Sequence, residues 1–305
     1  MRKRILNISL YSLFSLVCLF FFLVRGFPIQ ILADDLKSSL ERDLGVKITT
    51  SSMAVLFPNG VKATDVRLIK PGREDAPGVT MLLDMVKVRI SLLGLLIGHR
   101  NVSFRSELFS GSLDGTIGLD SERVRVDTQI EHIDLKKFPL LSDILGTKVT
   151  GDFSGAVELS FTTRDLKTAK GAIQLDLDNA GIGEETVSEG AGGSSGFTIP
   201  PVRLGKVQIN IQVDNGKAEL KTFKQQSDDL EANVEGYILL AQSFSQFTQN
   251  CRVRFKPSAG FLNKNPKFQA VIDLGGMSDS KDQQGYMAYK VTGKLTNPQF
   301  QPVKR

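Results

Sequence analysis

From about residue 46 onward the chain repeats one pattern: apolar and polar side chains alternate with a period of two. The stretch SERVRVDTQIEHIDL, 121–135, shows it plainly, with Val124, Val126, Thr128, Ile130 and His132 on one side and Arg123, Arg125, Asp127, Gln129 and Glu131 on the other. Such alternation belongs to a strand with one dry and one wet face. It returns through Val86 to Leu92, Val102 to Leu108, Val149 to Phe161, Ile173 to Leu177 and Val207 to Val213. It continues in Leu230 to Leu240, Phe268 to Leu274 and Met287 to Leu295, while Pro58-Asn59-Gly60 and Asn215-Gly216 supply hairpin turns. The expected domain is mainly β, a long curled antiparallel sheet of about a dozen or more strands.

What covers the dry face then becomes the governing question. Each strand offers it three to five apolar side chains, and leaving one wet costs ~1.5–3 kcal/mol. Only short helical stretches are expected beside the strands, at 91–98 and 138–146. The sheet must therefore curl so that its dry face meets itself, as a sandwich, a barrel or a deep groove. Val124, Val126, Ile130, Phe153, Val157, Leu159, Ile173 and Leu175 are the candidate lining of such a groove. The segment 181–198 is Gly/Ser-rich without apolar periodicity and reads as a flexible loop, dividing the β domain into 46–180 and 199–305. Glycine-led strands recur in SGSLDGTIGL, VTGDFSGAVEL, EGYILL and VTGKL, with no fixed period.

The first residues differ in kind. A basic tail, 1–4, precedes ILNISLYSLFSLVCLFFFLV, 5–24, which is 20 residues without a charge. At ~1.5 Å per residue it spans ~30 Å, the hydrocarbon core of a bilayer. It is longer than a signal-peptide core and no small-x-small site follows it, so it reads as an uncleaved single-pass anchor. Arg2, Lys3 and Arg4 outweigh Arg25 and orient the N-terminus toward the cytoplasm, which puts the bulk of the chain outside it. Within 25–45, Pro28 opens and Gly45 closes an amphipathic juxtamembrane helix, with Ile29, Leu32, Leu36, Leu40 and Leu44 along one side.

Charge and cysteine content narrow the function. Setting aside Arg2, Lys3 and Arg4 leaves 35 of the 38 basic residues against 33 acidic ones, a balance that implies no nucleic-acid partner. With Cys18 inside the anchor, Cys251 has no partner for a disulfide.

No motif carries catalysis. His99 and His132 lack metal-ligand spacing, so no metal or cofactor is expected. GGSSG, 192–196, fits Gly-x-Ser-x-Gly around Ser194, yet it lies in a Gly/Ser loop without the strand-to-helix setting that a nucleophile elbow needs. Asp176 and Asp178 share one strand face with Lys170 and Gln174, as a solvated surface would. Cys251 falls on the apolar side with Val253 and Phe255. The chain is expected not to be an enzyme.

The order of anchor, amphipathic helix ending in DLG, VLFPNGVKATDVRLIKP, VKVRISLLGLLIGHRNVSFRSELFSGSLDGTI and closing YKVTGKLTNPQFQP resembles the type II secretion system protein N (GspN) family. That family is similar in turn to the AsmA-like proteins. The resemblance implies a bacterial inner-membrane protein with its bulk in the periplasm. For protein N it implies a non-enzymatic accessory role in type II protein secretion, with other secretion subunits as partners. For the AsmA-like proteins it implies a hydrophobic β-groove that handles phospholipid.

Overall fold

The computed structural model describes Ser38, Glu41 and Lys47 to Val303, without 57–58, 71–78, 92–93, 95–99, 121, 139–147, 164, 184, 188–196, 244–245, 275–279 and 296. The proposed tail and anchor, 1–24, lie outside the described residues, as do nearly all of the juxtamembrane helix, the GGSSG motif and the helix expected at 138–146. Among the described residues no helix is long and apolar enough to cross a membrane.

Among the described residues seventeen strands follow one another: β1 (Lys47–Thr49), β2 (Ser52–Leu56), β3 (Gly60–Lys70), β4 (Val79–Ile90), β5 (Arg100–Leu108), β6 (Gly111–Leu119), β7 (Arg123–Asp134), β8 (Val149–Thr162) and β9 (Asp165–Ile182) come first. Then come β10 (Glu185–Val187), β11 (Phe197–Ile199), β12 (Val202–Asp214), β13 (Lys217–Gln226), β14 (Leu230–Leu239), β15 (Thr248–Pro257), β16 (Met287–Lys294) and β17 (Asn297–Pro302). Fifteen of them form one sheet in chain order, each antiparallel to its neighbours, with β1 and β2 end to end along the edge of β3. β17 forms the other edge. The two edges are not paired with each other, so this sheet is not a closed barrel among the described residues.

The excursion at 181–198 does not divide the sheet. β9 and β12 pair directly across it, from Ile182 opposite Val202 to Gly171 opposite Val213. Its base is built rather than loose, since β10 and β11 make a separate two-stranded ribbon with Val187 opposite Phe197. The Asn215-Gly216 turn is as expected: φ values of 46° and 71° put both residues in the left-handed region that a tight two-residue hairpin demands.

Three departures from simple alternation have local causes. In β7, Glu131 and His132 together oppose Ser154, a bulge that shifts the register between Ile130 and Ile133. His132 (φ 51°) leaves the apolar side, and Ile133 takes its place in the core. In β13 the register shifts at Lys221, so Leu220 and Phe223 share a face although they are three residues apart, a spacing that simple alternation does not give. The run at 268–274 is helical, not extended. It belongs to a pair of helices, α1 (Ala259–Lys264) and α2 (Pro266–Leu274), inserted between β15 and β16. Ser258 caps α1 through its hydroxyl, which accepts from Phe261 N at 3.2 Å. Pro266 opens α2 in the position where a missing N–H is harmless.

The fully buried core gathers at the two ends of the sheet. At the end where β1 enters, Met81, Phe109, Ile133 and Leu135 are buried beneath Leu68, Leu108, Ile130, Phe153 and Leu177. The Phe109 and Phe138 rings stack there at 5.2 Å. The β10–β11 ribbon, α1 and α2 adjoin strand termini at that same end. At the opposite end Ala169, Val213 and Ala218 are buried against Leu159, Phe161, Ile211 and Ile238.

Candidate functional site: the apolar sheet face

Residues directly opposite each other on neighbouring strands point to the same side, so the register traces one face across strands far apart in sequence. Three rows define its centre from β5 to β12. The first runs Val102, Ile117, Val126, Leu159, Gly171, Val213. The second runs Phe104, Gly115, Thr128, Val157, Ile173, Ile211. The third runs Ser106, Leu113, Ile130, Gly155, Leu175, Ile209. None of these positions carries a charge.

All eight candidate lining residues fall on this face. Val126 lies opposite Leu159, Val124 opposite Phe161, and Val157 opposite Ile173. Gly155 separates Ile130 from Leu175, and Phe153 sits between Ile133 and Leu177. The face continues past the set drawn from the sequence. Toward β4 it takes in Val86 and Val88; toward β16 it takes in Val234, Val253, Cys251, Val291 and Tyr289. Ile209, Ile211 and Phe223 also belong to it. The expected break at 181–198 hid this continuity.

Val124 is buried, but Val126, Ile130, Phe153, Val157, Leu159, Ile173 and Leu175 are only half-buried. Side chains sealed under a second layer would lose nearly all their exposure, because interiors pack like crystals. Among the described residues, the shielding on these positions comes largely from neighbours in the same sheet. Two small polar side chains interrupt the face, Ser106 and Thr128, both buried, and the Ser106 hydroxyl has no hydrogen-bond partner.

The opposite face is charged and internally paired. Arg105 bonds Asp114, Lys170 pairs with Asp214 at 3.3 Å and Lys206 with Asp178 at 3.4 Å. Asp176 accepts from Gln208 Nε2 at 2.8 Å. The two aspartates are thus engaged in separate cross-strand contacts on the polar surface. His132 is exposed, with Nδ1 3.2 Å from Asp152. Among the described residues no cluster of His, Cys, Asp and Glu is arranged to hold a metal ion.

Asp229 and Cys251 are among the groups whose titration is set by their surroundings. Asp229, at the turn before β14, is buried, and its carboxylate accepts from Arg203 N, Nε and Nη2 at 3.1, 3.0 and 3.0 Å. Those bonds hold its pKa below the usual carboxylate range. Cys251, half-buried on the apolar face opposite Val291, has its thiol pKa raised by burial. Arg2, Lys3, Arg4 and Ser194 lie outside the described residues.

No family model, no curated protein and no solved structure matches this chain.

Proposed function

We propose that this chain is a non-enzymatic, membrane-anchored lipid-handling protein. In this reading the sequence 5–24 tethers it in the bacterial inner membrane, the sheet lies in the periplasm, and the apolar face shelters acyl chains of phospholipid. The observation that carries the reading is the incompletely buried apolar face, uncharged in its three central rows across six strands. Leaving that much aliphatic surface wet is costly, at ~25 cal/mol for each Å². A hydrocarbon chain laid along it would remove that cost without needing a specific polar partner. Curling would favour the same use: strongly twisted open sheets rarely exceed ~10 strands without curling, splitting or flattening, and a curled sheet turns one face into a trough.

The accessory role in type II secretion that the resemblance implies draws on no feature of this face, and the incompletely buried apolar surface favours the lipid reading over it. The test is photo-crosslinking of the full chain in native membranes. A photoreactive side chain at Val157, on the apolar face, is expected to capture phospholipid, whereas one at Glu158, exposed on the other face, is expected not to. Equal capture at both positions, or capture of secretion proteins and no lipid at Val157, would overturn the proposal.

A further inference from the structure

An open sheet has two edges, and each exposed edge strand is a template for another chain. β17 is the C-terminal edge, bonded on one side to β16, and all six of its residues are exposed. Phe300, at 65% exposure, is the most exposed of the large hydrophobic side chains described. Six exposed residues around one large aromatic side chain would otherwise offer a template for a partner strand.

Its backbone is arranged against that. Val303 N donates to Ala288 O at 2.9 Å, which fixes the phase of the ladder. In an antiparallel pair, alternate residues turn their N–H and C=O toward the partner strand and the rest turn them away. With Gln301 opposite Lys290, Gln299 opposite Thr292 and Asn297 opposite Lys294, these three face β16. Pro298, Phe300 and Pro302 face outward. Two of the three outward positions are therefore proline and offer no N–H to an incoming strand. The other edge is limited differently, by strands of only 3 and 5 residues, β1 and β2.

We infer that Pro298 and Pro302 end the sheet, keeping β17 from accepting a strand of a second copy of this chain. Without them, β17 of one molecule could pair with the β1–β2 edge of the next. Such a contact joins different surfaces, so it would build multimers, either rings or open chains of molecules. The inference is independent of the lipid reading.

The test uses the full-length protein in mild detergent with Pro298→Thr and Pro302→Thr, threonine being a strand former with an N–H to offer. Size-exclusion chromatography with light scattering is expected to find the parent chain monodisperse and the double variant forming multimers that grow with concentration. Hydrogen exchange of the β16 amides reports whether β17 remains docked. A double variant as monodisperse as the parent, with β16 still protected, overturns the inference, as does a parent chain already joined to its neighbours through β17. If the double substitution undocks β17, the single variants are read in the same way: multimers from either support the inference, and monodisperse behaviour of both with β16 protected overturns it.

Discussion

Asp229 shows how a single side chain fixes a junction in a structure made otherwise of ladders. Its carboxylate takes both the backbone N–H and the guanidinium of Arg203, while its own N–H donates to Ser227 Oγ at 3.1 Å. Ser227 Oγ in turn donates to Arg203 O. The start of β12 is thereby tied to the turn between β13 and β14. Arg203 is largely exposed, so water competes for the guanidinium contacts, and the bond from Arg203 N to a buried carboxylate matters most. Because hydrogen bonding from Arg203 depresses the folded-state pKa of Asp229, its contribution is fully present above the unfolded value of ~3.9 and fades as pH falls through the lower folded value. Asp229→Asn is expected to lower urea stability at neutral pH. The deficit should shrink toward zero below the folded pKa, where the parent chain is protonated as well. Urea titrations of both proteins at neutral and acid pH check this; a deficit independent of pH would mean that the charge is not what matters.

At the scale of the strand, two glycines sit where a neighbouring backbone comes too close for any side chain. Gly171 in β9 has φ of 148°, and a Cβ there would fall 1.9 Å from Glu158 O. Gly236, in the EGYILL stretch of β14, has φ of 135° and would place a Cβ 2.4 Å from Asn250 O. Backbone, not a movable side chain, blocks both. Gly118 in β6 lacks this constraint, its nearest neighbour being Asn101 Oδ1 at 3.2 Å. Gly171→Ala and Gly236→Ala are expected to destabilise by at least ~1–3 kcal/mol in thermal or urea unfolding, and Gly118→Ala by less than ~1 kcal/mol. Equal losses at all three would remove conformation as the cause. This also accounts for part of what the sequence displays: the recurrent glycines are visible, but the angle each supplies is not. Alternation located most strands and put all eight lining residues on one face, because period two is a property of the residues themselves. It failed where a bulge changed the phase, at His132 and Lys221, since a bulge depends on the partner strand. It failed also at 268–274, where Phe268 and Ile272 satisfy helical spacing as well as alternation, and Pro266 at the first helical position favours the helix.

For the whole molecule, the question is whether the apolar face is continuous enough to act as one surface, and the chain carries its own reporter. Cys251 lies on that face in β15, opposite Gly236 and Val291, many strands from the rows centred on Val157 and Ile173. Burial raises its pKa, so less of it is thiolate at a given pH than of an exposed thiol. Maleimide labelling should therefore be slow at neutral pH and climb through a more alkaline range than for an exposed thiol. In a Cys18→Ser variant, Cys251 is the one remaining thiol. If acyl chains occupy the face along its length, phosphatidylglycerol added to the detergent-exchanged protein should slow labelling of Cys251 several-fold. A cysteine placed at Gln174, exposed on the polar side opposite Ala156, should label at an unchanged rate in a variant that also lacks Cys251. Slowing at both positions would indicate general shielding by the micelle. No slowing at Cys251, with lipid still captured at Val157, would confine the lipid to the N-terminal half of the sheet. The face would then be continuous in its chemistry without being occupied as a single surface.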